Sequence, residues 1–336
     1  MKTIKLNDKN LNFLTFLGRY FQTKDGMVFD YSGSGVSFDF VGESFSFEFS
    51  PRNISNDDSI PYIVVIVDGK KLNKICVDEE NMSFVHHFSS ASLHHIEIIK
   101  ITECLISQVV IHCLSIDGTF SKQEKKLAIE IYGDSLTCAY GVESLDPNAE
   151  FHSKDENYTC SYAYLIQKEL NANVSAICAS GYPLLKAIYS HDSRVDNIPD
   201  CFSLANLPNK VDEPIAWDNK KFAPNIVVIN LGANDSTLGE KSLLKEAYIT
   251  KLHHFLDLLF KNYGEKLKVI FFHGMVSLPA FIVNATKEGI SSYERKIYVC
   301  ETTSRNEGEF VATGHPNKAM HKKAAKDLAK FIKGII

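Results

Sequence analysis

No two cysteines in this 336-residue chain are spaced as Cys-x-x-Cys, although there are eight of them. Cys76, Cys104, Cys113, Cys138, Cys160, Cys178, Cys201 and Cys300 are scattered, which fits reduced, buried thiols and argues against a zinc site or a disulfide framework. The adjacent pairs His86-His87, His94-His95 and His253-His254 offer no substitute, because neighbours on a strand face opposite ways, so no metal is expected. Excess positive charge is also missing. With 36 Lys and Arg against 41 Asp and Glu, a formal net charge of −5 makes nucleic acid an unsuitable main partner. No apolar run approaches the length that spans a bilayer, so no membrane partner is expected. Met1–Asn10 has no apolar core of signal-peptide length; the expected location is cytoplasmic, with secretion only if a leader has been removed. Internal repeats and low-complexity segments are absent too.

What is present is an ordinary globular composition, 45% hydrophobic and 23% charged, long enough for two domains. From Gly18 to about Ile116 the pattern is strand after strand. Val36–Val41 and Ser44–Phe49 alternate apolar with polar at the two-residue period of a half-buried strand, and Gly42-Glu43 between them predicts a turn. Tyr62–Val67 runs into Asp68-Gly69, a hairpin signal, and His94–Ile101 and Val109–Leu114 continue the series. These short strands predict a β-sandwich of jelly-roll type over residues 1–121. The polar segment Ser115–Lys126 marks the boundary. Over residues 122–336, short continuous apolar runs (Leu127–Tyr132, Val174–Ala179, Ile226–Leu231, Leu267–Phe272) suit parallel strands covered on both faces. Tyr158–Leu170 and Lys245–Phe260 between them carry helical spacing, so this half is a doubly wound α/β domain. The lysines of the last helix, Lys318 to Lys333, lie opposite Ala319, Ala325, Leu328 and Ile332 and form a solvated face.

In a parallel sheet, functional groups gather beyond the carboxyl ends of the strands. Leu127–Tyr132 breaks at Gly133-Asp134-Ser135-Leu136, which places a serine at a strand-to-helix turn among backbone N–H groups without intrahelical partners. A serine attacking an ester carbonyl creates an oxyanion that such donors stabilise, so Ser135 is a candidate nucleophile and its own N–H a candidate donor. The second run ends at Ser180-Gly181, the third at Gly232-Ala233-Asn234-Asp235, and Gly314-His315-Pro316-Asn317 precedes the last helix. A hydroxyl, a backbone N–H, a side-chain amide and an imidazole are what acyl transfer requires. Each is weak alone. A glycine after a strand is usually a turn, and Asn-Asp usually caps a helix; their order on successive strand ends carries the argument.

These four blocks resemble the GDSL or SGNH hydrolase superfamily, and more narrowly the chain is similar to carbohydrate esterase family 2. Gly18-Arg19, Asp117-Gly118 and Trp217 also resemble that family, as does a jelly-roll domain preceding an SGNH domain. The resemblance implies a flavodoxin-like α/β/α hydrolase domain behind the β-sandwich. It further implies catalysis by Ser135 as nucleophile and His315 as general base, and an oxyanion hole from Ser135 N–H, Gly181 N–H and the Asn234 amide. The implied substrate is an O-acetylated plant-type oligosaccharide or polysaccharide, with no cofactor. Two positions depart from the pattern. The superfamily usually places an aspartate two or three residues before the histidine, where this chain has Ala312 and Thr313, and the family often has an aromatic residue where Gly314 stands.

Without that aspartate the expectation is a Ser-His dyad in which Nδ1 of His315 donates to a backbone carbonyl and the ring titrates near its ordinary value of about 6.5. A lipase or thioesterase of the wider superfamily is the second reading, and a decayed carbohydrate-binding protein the third. A short linker also predicts that the β domain helps form the cleft instead of acting as a detachable module. Oligomeric state has no signature in the sequence.

Overall fold

Parity explains the amino-terminal half. In a strand, successive side chains alternate between faces, so Phe38 and Phe40 cannot share a face with Phe45, Phe47 and Phe49 unless one residue is inserted between the sets. The computed structural model, which describes residues 2–7, 11–122, 126–187, 194–208, 213–239 and 242–336, has that insertion. Gly35–Arg52 is one continuous strand with a register shift between Gly42 and Ser44, and all five phenylalanines are buried in one core. The turn predicted at Gly42-Glu43 is therefore a β-bulge. Asp117 Oδ1 holds it, accepting the N–H groups of Glu43 at 2.8 Å and Ser44 at 2.9 Å, so the extra residue costs no unpaired amide. Before the bulge the strand pairs with Thr15–Leu17, Thr119–Ser121 and Leu93–Ile99; after it, with Gln108–Ile116 and Met82–His87. The result is an antiparallel β-sandwich over a phenylalanine-rich core. Tyr62–Val67 and Lys70–Cys76 form the hairpin expected at Asp68-Gly69. His94 and His95 face opposite ways, onto Asp68 and Asp39.

The second half is a five-stranded parallel sheet: β1 (Leu127–Gly133), β2 (Ala172–Cys178), β3 (Ile226–Asn230), β4 (Lys268–His273) and β5 (Ile297–Glu301), in the order β2-β1-β3-β4-β5. That is the flavodoxin-like order. β5 and α4 (Ala280–Ser291) are elements the apolar runs did not disclose; β5 is an edge strand with exposed side chains, and its apolar run, Ile297–Cys300, is short. The segment predicted as one helix from Tyr158 is a 3-10 turn followed by α2 (Tyr162–Leu170), because Ser161 caps the helix by accepting from Ala163 N–H. α2 and α5 (Lys318–Lys333) cover one face; α3 (Ser242–Tyr263) and α4 cover the other. Of the boundary segment Ser115–Lys126, residues 123–125 lie outside the described residues. No described helix is long and apolar enough to cross a membrane.

The two sheets are joined by charge as well as apolar packing. Arg19 is fully buried: Nη1 donates to the carbonyls of Cys201 and Leu204, both at 2.7 Å, and Nη2 to Glu130 Oε1 at 3.1 Å and the Tyr132 hydroxyl at 3.0 Å. Its guanidinium lies 5.7 Å from the ring centre of Trp217. Glu97 of the β domain receives Gln167 Nε2 and Lys168 Nζ from α2; burial alone would raise its carboxyl, but His95 and Lys168 bring it down to about 2. Removing one partner of a buried ion pair strands the other, so Arg19→Ala should lower unfolding free energy by about 3–5 kcal/mol. Urea unfolding measures this, and a loss below about 1 kcal/mol, the scale of an exposed pair, would show that the seam does not depend on the guanidinium.

Candidate active site

The register sets the carboxyl ends of three strands side by side, with Gly133 opposite Cys178 on one flank and Asn230 on the other. The chain leaving β1 folds back at once. A Cβ on Gly133 would lie 2.0 Å from Thr137 Oγ1, so only glycine permits the turn. Asp134 caps the helix that follows by accepting Leu136 N–H at 3.0 Å. That helix, α1 (Ser135–Cys138), is a single turn closed by Ala139 in the left-handed region. The predicted helix start is thus real, but a four-residue helix has little macrodipole, and anion stabilisation falls to individual N–H groups. Ser135 is 8% exposed.

Beyond β2, Tyr182 N–H donates to Ala179 O at 3.2 Å across Ser180-Gly181, and Gly181 has φ of +80°. These are the marks of a type II turn, which needs glycine at its third position. Beyond β3, Asn234 Nδ2 donates to Tyr182 O at 3.1 Å and to Asp134 Oδ2 at 3.3 Å, tying the three strand ends together. The neighbouring Asp235 accepts the N–H groups of Leu184 at 2.8 Å and Leu185 at 2.7 Å. Burial pushes both carboxyls up. Asp134 rises to about 7, the charge of Asp235 adding to its burial, and Asp235 rises to about 6 against the pull of its N–H donors.

His315 comes from a loop, not from a strand end. Val311 and His315 exchange backbone hydrogen bonds around Thr313 and Gly314, which both have positive φ, 51° and 75°. This reversal turns the imidazole back on itself. Nδ1 lies 3.1 Å from Ala312 O and 3.0 Å from Thr313 Oγ1, and Nε2 lies 2.8 Å from Ser135 Oγ. The Thr313 hydroxyl donates to Ala312 O at 2.8 Å, so its oxygen is left to accept. Both neighbours of Nδ1 are then acceptors, which assigns the proton to Nδ1 and leaves Nε2 to accept from Ser135. Among the described residues no carboxylate bonds to His315.

The expectation of a histidine titrating near its ordinary value is corrected. Burial holds His315 below that value, the carbonyl of Ala312 offsetting only part of the penalty. Behind it His321 accepts Tyr162 N–H at Nδ1 and is held down to about 3, by burial first and by the charge of His315 second. The site also contains two aromatic residues that the motifs did not indicate. The ring of Tyr140 lies 4.4 Å from that of His315, and Phe151 stacks on Tyr140 at 4.3 Å, so an aromatic wall stands beside the imidazole although position 314 is glycine. Tyr140 follows Ser135 by little more than a turn and was within reach of sequence reasoning; Phe151 gave no local signal. A depressed value keeps the imidazole neutral to lower pH, so an NMR titration of the His315 ring should have its midpoint below about 6.5. A midpoint above about 7 would require a negative charge that this geometry lacks.

Comparison with known proteins follows the same division of the chain. Residues 16–122 match the family described as Carbohydrate esterase 2 N-terminal. The chain is 26% identical over 287 residues to the cellulase/esterase CelE of Acetivibrio thermocellus, which covers 81% of this chain but only 34% of that protein. It is 26% identical over 298 residues to the acetylxylan esterase / glucomannan deacetylase of Cellvibrio japonicus, covering 84% and 78% of the two chains. The structure of a family two carbohydrate esterase from Clostridium thermocellum in complex with cellohexaose superposes with a TM-score of 0.82 at 25% identity, over 96% of this chain and 98% of that one. With a sandwich domain of this kind leading into a parallel sheet whose strand ends converge on a serine and a histidine, the chain is similar to family two carbohydrate esterases along nearly its whole length.

Proposed function

We propose that this chain is a carbohydrate acetyl esterase, a cofactor-independent carboxylic ester hydrolase that removes O-acetyl groups from plant-type oligosaccharides or polysaccharides through a Ser-His dyad. The observation that carries the reading is the 2.8 Å contact between Ser135 Oγ and His315 Nε2, with Nδ1 bonded to neutral acceptors. Ser135 Oγ attacks the acetyl carbonyl carbon as its proton passes to Nε2. The carbonyl oxygen becomes an oxyanion facing the N–H groups of Ser135 and Gly181 and the Asn234 amide. Of the two hydrogens on Asn234 Nδ2, the one pointed at Asp134 makes the longer contact, 3.3 Å, and is the one to be recruited. The intermediate collapses, the bond to the sugar oxygen breaks, and the imidazolium returns the proton to that oxygen. Water then repeats the sequence on acetyl-Ser135 and releases acetate.

The name of the Cellvibrio japonicus relative supports an acetylated xylan or glucomannan chain as the substrate class. The wall of Tyr140 and Phe151, standing beside the imidazole, is suited to lie against a pyranose ring. A dyad orients its histidine but lacks a carboxylate to stabilise the imidazolium, so turnover is slower than a triad would permit.

Acetate release from 4-nitrophenyl acetate and from acetylated xylo- and manno-oligosaccharides should exceed cleavage of longer acyl esters; a preference for long chains would move the assignment to a lipase or thioesterase. Ser135→Ala should abolish hydrolysis without changing the melting temperature, and a variant turning over at the unmodified rate would exclude it as nucleophile. Asn234→Ala should lower kcat roughly 100- to 1,000-fold with little change in KM, the usual result of losing one oxyanion donor. A change confined to KM would instead make Asn234 a substrate-binding residue.

A further inference from the structure

Glu103 belongs to the β domain, in the loop between the strands Met82–Lys100 and Gln108–Ile116, yet its carboxylate ends in the hydrolase domain. It is buried, and its Oε2 accepts the N–H of Ser180 at 2.7 Å. Ser180 immediately precedes Gly181. We propose that Glu103 is a positioning residue for the oxyanion hole: by holding Ser180 N–H it fixes the turn that aims the Gly181 N–H, so that a β-domain side chain completes the site of the hydrolase domain. This rests on the acyl-transfer reading of the site.

The geometry of the turn makes the contact consequential. In a turn spanning Ala179 to Tyr182, the central peptide joins Ser180 to Gly181 and carries the Gly181 N–H. Type I and type II turns differ mainly in which way that peptide faces. The positive φ of Gly181 records the type II choice, and glycine by itself adopts either. An acceptor on Ser180 N–H restrains the first corner of the turn and with it the orientation of the next peptide. Two other groups restrain the far side, Asn234 on Tyr182 O and Asp235 on the N–H groups of Leu184 and Leu185. Among these, only Glu103 acts on the near side.

Glu103 is itself held on three sides. Its N–H donates to Glu156 Oε2 at 2.8 Å, its carbonyl accepts from the buried Lys100 Nζ at 2.9 Å, and Cys138 Sγ approaches its Oε2 at 3.7 Å. Carboxyl oxygens of Glu103 and Glu156 and the thiol of Cys138 lie within 4.8 Å of one another. Two ionised carboxylates that close in a dry interior repel strongly, so the pair divides the work. Burial first, and Glu103 second, push Glu156 well above the usual carboxylate range, while the N–H of Ser180 opposes the same effect on Glu103. Burial raises Glu103 as well, but the hydrogen bond from Ser180 N–H favours its ionised form.

The experiment compares three full-length variants on 4-nitrophenyl acetate, with folding monitored by thermal melting. Glu103→Met removes the acceptor at nearly constant volume and should lower kcat on the order of 10- to 100-fold with KM unchanged, since the donor is misaligned but not deleted. Glu103→Gln keeps an oxygen that can accept from Ser180 and should stay within about threefold of the unmodified protein. If Glu103→Met does not fold, Glu103→Asp serves instead: it keeps the charge, withdraws the acceptor by one methylene, and should show the same loss confined to kcat. A folded Met or Asp variant with unchanged kcat, a change confined to KM, or a Gln variant as slow as Met would each overturn the proposal while leaving the esterase reading intact. Failure of the unmodified protein to hydrolyse any acetyl ester would instead overturn the reading of the site, and this inference with it.

Discussion

The buried guanidinium of Arg19 is the constraint on which the arrangement of the two domains rests. A charge that cannot reach water must be met by hydrogen-bond acceptors, and those on its two Nη atoms come from the other half of the chain: Glu130 and Tyr132 on the first parallel strand, and the carbonyls of Cys201 and Leu204. Glu130 is in turn held by the hydroxyls of Tyr132 and Tyr263 at 2.7 and 2.8 Å. The sandwich therefore cannot slide over the parallel sheet without leaving several buried polar groups unpaired. A fixed seam is also what allows the loop beyond Lys100 to deliver Glu103 to Ser180. The domains share an interior, and the short chain between them is a consequence of that intimacy more than its cause.

The site itself shows burial and charge in opposition. Ser135, His315, Asp134 and Asp235 occupy a region where desolvation dominates, so the imidazole is held below its ordinary value while the carboxyls are held above theirs. Both shifts favour neutral side chains in the resting site. The acceptors on His315 Nδ1 are likewise neutral, a carbonyl and a hydroxyl from its own tight loop. Orientation is achieved locally, by the positive φ values of Thr313 and Gly314, where an aspartate would have supplied both orientation and charge. Gly314 is thus part of the device that turns the imidazole inward, and Tyr140 and Phe151 form the aromatic wall beside it.

The three stretches that resemble the family outside the four blocks of the candidate site have structural duties. Arg19 and Trp217 sit together at the seam, and Asp117 holds the bulge in the long strand of the sandwich. They mark the chain as a relative through the way its parts are joined, independently of the chemistry at the strand ends.

Much was legible in the sequence because it is written in short-range patterns. The two-residue alternation around Val36 and Ser44, the continuous apolar runs of β1 to β4, and the serine, glycine, amide and histidine blocks each depend on neighbours close along the chain. The parity change between Phe40 and Phe45 is visible as well, but in the sequence it reads as two strands and a turn; only pairing with distant strands, and Asp117 on the bulge, decides that the strand continues. β5 is hard to read in the sequence because its apolar run, Ile297–Cys300, is short and its place at the sheet edge is set by pairing with β4. The tautomer of His315, its depressed titration, the contact of Tyr140 with its ring and the reach of Glu103 to Ser180 were decided by tertiary structure alone. Each depends on how far a group is from water and on which group from a remote part of the chain stands beside it, and neither quantity is carried by the residues adjacent in sequence.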